Sequence, residues 1–382
     1  GLFVAGTLVC AIAPTMPVVL AGRAVQGAGG GLLAGLGYAL IRSALPSHLW
    51  TRASALVSAM WGAGTFVGPA LGGAFAQFGS WRAAFVALAV AGLVIAAVVP
   101  RVLSDSRPDV RPERFPLVAL GLLAGASVVV SVASLIATVV ATVVGIVVGL
   151  ALIAAFVGYE RRGRVRILPA TTFTPGSPLR AIYATLALLA IGSTTETFVP
   201  LFGQRLAGLA PLAAGFVGAA IAAGWTLGEL PSSAAVRATT IRRIVVAGPI
   251  VLAAGLILAA LSQRAHIPGG LMALWIVALL VAGSGVGIAW PHLSTQAMHA
   301  VDDPADGDKA AAAINTVQLV ANSFGAAMTG LAVNLGEPDP VASARYLFLG
   351  FAALTALGVV PAVVSQSRRP PAAANGTPAT AR

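Results

Sequence analysis

The stretch Pro116–Tyr159, PLVALGLLAGASVVVSVASLIATVVATVVGIVVGLALIAAFVGY, runs for 44 residues without an Asp, Glu, Lys, Arg or His. About 20 apolar residues in a helix rising 1.5 Å each span the ~30 Å hydrocarbon core of a bilayer. The run is too long for one crossing and fits two, so we divide it into a tight helical hairpin turning near Ala137. The period-2 alternation of a membrane barrel is absent, and open sheet edges cannot face lipid. The hairpin is therefore helical.

The rest of the chain has the same character. Of its 382 residues 58% are apolar and only 9% charged, with a mean hydropathy of +0.92. A soluble domain carries about 25% charge, and disorder needs low hydrophobicity, so both classes are excluded. Apolar runs predict spans at 1–13, 17–40, 53–78, 83–99, 116–136, 138–158, 181–201, 211–230, 244–261, 269–298, 310–335 and 342–364. The fold class expected is an all-α polytopic membrane protein. Gly1 is not an initiator Met, no basic region precedes the first span, and that span is short. The chain is thus expected to begin inside a helix rather than with a signal peptide.

The net charge of +11, from 23 Lys+Arg against 12 Asp+Glu, is a topology signal rather than a nucleic-acid footprint. One set of alternate loops plus the C-terminal tail holds 18 of the cations, and the other set holds Arg82, Arg205, Arg264 and Arg345. Arg23, the remaining cation, is left inside a span. Positive loops stay cytoplasmic, so the tail is expected inside and the first span to run outward. A single cysteine, Cys10, excludes a disulfide framework or a thiolate metal site.

Glycines repeat at a fixed offset. Gly27, Gly29 and Gly31 match Gly283, Gly285 and Gly287, while Arg52, Gly68 and Gly73 match Lys309, Gly325 and Gly330 one residue further on. Two neighbouring spans in register indicate a parallel duplication. Spans 1–4 then pair with spans 9–12, and spans 5 and 6 are an inserted hairpin. The expected layout has the remainder of an N-terminal bundle at 1–100 and linkers at 101–180 flanking the hairpin at 116–158. A six-helix bundle at 181–365 and a disordered tail at 366–382 follow. Partners for spans 7 and 8 would precede the first residue, giving a parent of fourteen helices with twelve here.

Two motifs stand out. Gly64, Gly68 and Gly72 recur every four residues around Pro69, with Gly73 adjacent. Small residues let a second helix approach closely, and the proline interrupts the hydrogen-bond ladder. A helix that packs tightly and bends suits a rocking gate; static packing is the alternative. In the second span, Arg23-Ala-Val-Gln26-Gly27-Ala-Gly29 places a guanidinium about 9 Å past Pro17, where it requires a wet cavity or snorkels to the surface. These stretches resemble the fourth-helix motif and the fifth-helix antiporter motif of drug:proton antiporters in the major facilitator superfamily. Trp81-Arg82-x-x-Phe85 and Glu160-Arg161-Arg162 are similar to the fourteen-helix branch. The resemblance implies the superfamily's two-bundle fold and proton-coupled export of small lipophilic compounds. It further implies that Arg23 takes part in proton translocation and that Gly64, Gly68, Pro69, Gly72 and Gly73 shape the export conformation. The loop Pro231–Arg243 departs from the family by lacking the usual glycine and aspartate.

Ionisable groups within spans are the remaining pointers. Glu196, nine residues from Arg205 and sixteen from Arg180, lies in the outer half of its span and is a candidate proton carrier or cation contact. The alternative is a carboxyl bonded to Thr194 or Thr197. Glu229 and His292 near inner span ends are pathway candidates or interfacial groups. Asn315, Gln318 and Asn322 share a helix face, lining a pathway or bonding helix to helix. With Gln26 beside Arg23 they complete the expected proton and substrate pathway. The acidic run at 302–308 reads as solvated. No dinucleotide or Walker loop, metal-ligand spacing or nucleophile–base pair is legible, so no enzyme, cofactor or metal is expected. The expected function is proton-coupled multidrug export by a monomer in the plasma membrane, with small molecules, protons and lipid as partners. Metabolite uptake or exchange, or a non-transporting membrane scaffold, are the competing readings.

Overall fold

The structure is a computed structural model and describes residues 1–78, 80–102, 116–136, 138–163, 166–301 and 303–367. Among these residues every regular element is helical, and the elements line up as twelve rods. They are α1 (Leu2–Ile12), α2 (Met16–Ala44), α3 (Trp50–Phe78), α4 (Trp81–Val102), α5 (Leu117–Leu135) and α6 (Val139–Arg162). Then follow α7 (Leu179–Ala207), α8 (Pro211–Ser232), α9 (Ala238–Leu261), α10 (Gly269–His299), α11 (Pro304–Asn334) and α12 (Pro340–Ser367). Nine of them are long and apolar enough, over the described residues, to cross a membrane. A helix stands at each of the twelve positions where a span is expected, and α5 and α6 pack against each other. The tail from 368, the basic loop 103–115 and the turn residue at 137 lie outside the described residues.

Prolines explain the interruptions in two rods. Pro200 has no N–H and clashes with the carbonyl four residues back, which is that of Glu196. Residues Thr194–Phe198 accordingly tighten into a 3₁₀ turn, in which the Val199 N–H returns to the Glu196 carbonyl. Pro361 acts likewise on Leu357, where α12 is offset between Ala356 and Val359.

Close glycine packing builds the C-terminal half. A Cβ on Gly283 or Gly287 of α10 would run into the carbonyls of Ile221 and Trp225 on α8, and one on Gly224 would meet the Leu280 carbonyl in return. On its other side Gly285 lies against the Leu252 backbone of α9. Backbones this close gain dispersion contacts that lipid cannot supply. The largest fully buried side chains, Trp275, Trp290, Phe202 and Phe348 among them, all belong to this half. The hairpin docks on α11, where Gly149 receives Phe324 and a small core of Ala126, Val130, Phe324 and Ala327 forms.

The first four rods are sparser. Within α4 only 6% of the membrane-length window is buried, against 50% for α9. Arg82 caps the C-terminal end of α1, its Nη2 donating to the Ala13 carbonyl at 2.7 Å, while its guanidinium lies 4.3 Å over the Trp81 ring. This group meets the C-terminal half through α2 on α11 and α3 on α8 and α10. At the α3–α10 contact Thr51 Oγ1 lies 3.0 Å from Thr295 Oγ1, and the Trp50 and His299 rings stack at 4.6 Å.

The close approach expected at Gly64 and Gly68 is not found. Among the described residues a Cβ on either would meet nothing within 4 Å. Helix α3 is continuous through Pro69, whose side chain, like the surroundings of Gly72 and Gly73, is outside the described set. The acidic run is not merely solvated. Asp306 stands in the first turn of α11, where its Oδ2 accepts from the Ala170 N–H at 3.0 Å and Oδ1 lies 3.9 Å from Lys309 Nζ. A carboxylate at a helix N-terminus is favoured by the helix dipole.

Candidate transport pathway

Arg23 and Gln26 stand one helical turn apart on α2, so their side chains meet. Arg23 Nη1 donates to Gln26 Oε1 at 2.5 Å, and Gln26 Nε2 donates to Thr7 Oγ1 of α1 at 2.8 Å. The Thr7 hydroxyl in turn donates to the Phe3 carbonyl at 2.7 Å. Gln26 and Thr7 are buried, while Arg23 is exposed at the edge of this seam. The chain of donors fixes the guanidinium to α1 without neutralising it. Thr7 could not be read from the sequence, since only the α1–α2 packing brings it to Gln26.

Glu196 occupies the turn that Pro200 opens in α7. Its side chain is half-buried, and no described residue hydrogen-bonds or ion-pairs with its carboxylate. The neighbouring threonine hydroxyls are committed elsewhere, Thr194 Oγ1 to the Ile191 carbonyl at 2.6 Å and Thr195 Oγ1 to the Gly192 carbonyl at 2.9 Å. A carboxyl bonded to Thr194 or Thr197 is therefore not found among the described residues. The turn is wedged between α8, where a Cβ on Gly218 would contact Pro200, and α11, where one on Gly325 would contact Thr194.

On α11, Asn315 and Gln318 are buried and Asn322 half-buried, one turn before the Gly325 contact with α7. The side-chain oxygens of Asn315 and Asn322 have no hydrogen-bond partner among the described residues. Leaving a buried polar atom unpaired costs about 1–3 kcal/mol. These amides therefore do not act as hydrogen-bonded ties between helices, and they offer acceptors to water or a ligand.

Glu229 and His292 belong to a third cluster, at the α8–α10 seam. Glu229 is fully buried, with Oε2 accepting from Trp225 Nε1 at 3.0 Å, and the Trp225 ring lies 5.0 Å from that of Trp290. His292 Nε2 is 3.0 Å from both the Ser232 carbonyl and Ser232 Oγ, and that hydroxyl donates to the Ile288 carbonyl at 2.7 Å. A carbonyl only accepts, so Nε2 carries a proton. Both side chains are buried within the protein. The glycines hold this cluster in place, since Gly287 sits directly on the Trp225 carbonyl and beside the Glu229 amide.

The candidates thus form three separate groups: Arg23 with Gln26, Glu196 with the α11 amides, and Glu229 with His292. A cavity of about 700 Å³ lies elsewhere, between the hairpin, α7 and α11, and none of these candidates lines it. The Pro200 signal was readable in the sequence; the cavity was not.

Twelve apolar helical rods, nine of them long enough over the described residues to cross a membrane, with polar side chains packed among them, are the build of a polytopic membrane protein. The chain belongs to the Major Facilitator Superfamily, whose model matches residues 1–328. It is 47% identical over 361 residues to a protein of Mycobacterium tuberculosis (strain ATCC 25618 / H37Rv) named a probable multidrug-efflux transporter, covering 93% of this chain and 76% of that one. The tetracenomycin C resistance and export protein of Streptomyces glaucescens is 26% identical over 343 residues, 85% of this chain and 61% of its own. A crystal structure of the superfamily transporter FucP in the outward conformation matches with a TM-score of 0.48 at 11% identity, over 97% of this chain and 81% of that chain.

Proposed function

We propose that this chain carries out proton-coupled export of small lipophilic or cationic compounds by alternating access. It does so as a monomer in the plasma membrane with its C-terminus in the cytoplasm. The observation that carries the reading is the Glu196 carboxylate, held without a protein partner in a turn wedged between α8 and α11. A carboxyl so placed exchanges a proton or meets a cation without first breaking a protein contact. The unpaired Asn315 and Asn322 oxygens continue an accepting surface along α11. Protonation of Glu196 favours one access state and bound substrate the other. Arg23, held by Gln26, balances charge in the N-terminal half. The 47%-identical relative's name supports efflux, and the bias of cations to one set of loops supports the orientation.

The test uses everted membrane vesicles, a fluorescent lipophilic cation and an imposed pH gradient. Wild-type protein accumulates the dye when the lumen is acidic. Glu196→Gln abolishes that accumulation while leaving the amount of folded protein unchanged. Undiminished accumulation by Glu196→Gln removes Glu196 from the mechanism, and accumulation only under the reversed gradient makes the protein an importer.

A further inference from the structure

The cavity between the hairpin and the C-terminal half is unlike the three polar groups described above. Its walls are almost wholly apolar, from Ile146 and Leu150 on α6 to Phe324 and Met328 on α11. Its charged groups are Arg161 in the last turn of α6 and Arg180 in the first turn of α7, while Tyr183 and Thr316, also in its lining, donate to the Ala310 and Ala312 carbonyls. Both side chains are exposed, and neither pairs with an acid among the described residues. The bond that Arg180 makes is a long one, 3.5 Å to the Thr174 carbonyl. Glu160, next to Arg161, is turned away; its buried carboxylate accepts from the Ile167 and Leu168 amides at 2.8–3.1 Å. Thr172, also lining the cavity, is buried with its hydroxyl unpartnered.

The dimensions match one half of a bilayer. From Ile146 to Arg161 is 15 residues, or about 22 Å of helix, and a bilayer with its headgroups is about 40–45 Å thick. A ligand filling this space has a negatively charged head between the two guanidinium groups and a hydrocarbon body reaching the midplane. Free phosphate has no use for such walls, and a cationic compound is repelled at the mouth. Basic pockets between membrane helices on the cytoplasmic side recognise anionic lipid headgroups.

We propose that this cavity is the seat of one anionic glycerophospholipid of the cytoplasmic leaflet. Arg161 and Arg180 clamp its phosphate, Thr172 meets its glycerol-ester region, and its acyl chains fill the seam between hairpin and α11. The proposal rests on the orientation given above but not on proton coupling or on Glu196. The lipid acts as mortar, filling the space beside the apolar contacts that the hairpin makes with α11.

The experiment is native mass spectrometry and thermal unfolding of the purified chain in nanodiscs of phosphatidylcholine, with or without phosphatidylglycerol. Wild-type protein retains one phosphatidylglycerol after release and melts at a higher temperature when that lipid is present, as a ligand of the folded state requires. The pair Arg161→Gln and Arg180→Gln reduces retention by about tenfold or more and removes the rise, with the melting temperature in pure phosphatidylcholine unchanged. The corresponding lysine pair keeps most of the retention, whereas Ala187→Trp, which fills the cavity wall, loses it with both arginines intact. If the glutamine pair fails to fold, the lysine pair and Ala187→Trp decide. Equal retention of phosphatidylcholine, undiminished retention by the glutamine pair or by Ala187→Trp, or displacement by tetraphenylphosphonium would each overturn the proposal. The last would assign the cavity to a transported cation. Failure of dye export in vesicles leaves this measurement untouched, so the two readings fall separately.

Discussion

Helices α2 and α10 carry the same glycine spacing 256 residues apart, yet the three positions are not used alike. In α10 each glycine receives a neighbouring backbone: Gly283 and Gly287 take α8, and Gly285 takes α9. In α2 the middle position behaves in the same way, with Gly29 against the Phe3 backbone of α1 as Gly285 is against α9. The outer positions do not. A Cβ on Gly27 would meet nothing within 4 Å, and one on Gly31 would only touch the tip of Leu319 at 4.0 Å. Glycine spacing therefore writes two sockets on each helix, one per side. Whether a socket is filled is decided by packing that the spacing does not contain.

The filled socket is the place to break the comparison hardest. A leucine at Gly283 drives four side-chain carbons into the Ile221 carbonyl, and backbone cannot yield as a flexible side chain can. Overpacking a tight core costs about 1–3 kcal/mol and sometimes more. Here the α8–α10 seam also holds Trp225, Glu229 and His292. Gly283→Leu is expected to abolish the peak of folded protein in fluorescence-detected size exclusion. A monodisperse, heat-stable Gly283→Leu protein would show that the seam is looser than the contacts imply.

The same contrast explains what could be read from the sequence. The twelve rods were legible because charge-free length is a direct imprint of bilayer thickness, and the hairpin because 44 residues are twice what one crossing needs. Arg23 and Gln26 were legible as a pair from their spacing on one helix. Contacts between helices were not. The partner of Gln26 is Thr7, nineteen positions away, and Glu229, bonded to Trp225, lies deep in the α8–α10 seam. Gly64 and Gly68 show the limit most clearly, since a small-residue face states that a helix can approach, not that one does. Pro200 marks the opposite case, because the rule that frees the carbonyl four residues back points straight to Glu196.

The filled position in α2 gives a smaller effect. Alanine at Gly29 sets a methyl against the Phe3 backbone, which costs about 1–3 kcal/mol, offset by up to about 1 kcal/mol of better helix propensity. Helix α1 is 11 residues long and can shift as a unit, so the net destabilisation should sit near the lower end. Thermal unfolding should show a drop of a few degrees for Gly29→Ala, well short of Gly283→Leu. No drop would mean that the match between Gly29 and Gly285 is one of letters only.

Gly27→Ala tests the empty socket, and there the sign reverses. With open space around the new methyl, what remains is the reduced backbone freedom of alanine, a gain of about 0.5–1 kcal/mol in a helix interior. The melting temperature should rise slightly, while Gly287→Ala, at the matching kind of position in α10, should lower it. A fall for Gly27→Ala would mean that another helix seats against α2 at that glycine in the membrane. The two helices would then be used alike, and the asymmetry would belong to the packing captured here rather than to the sequence.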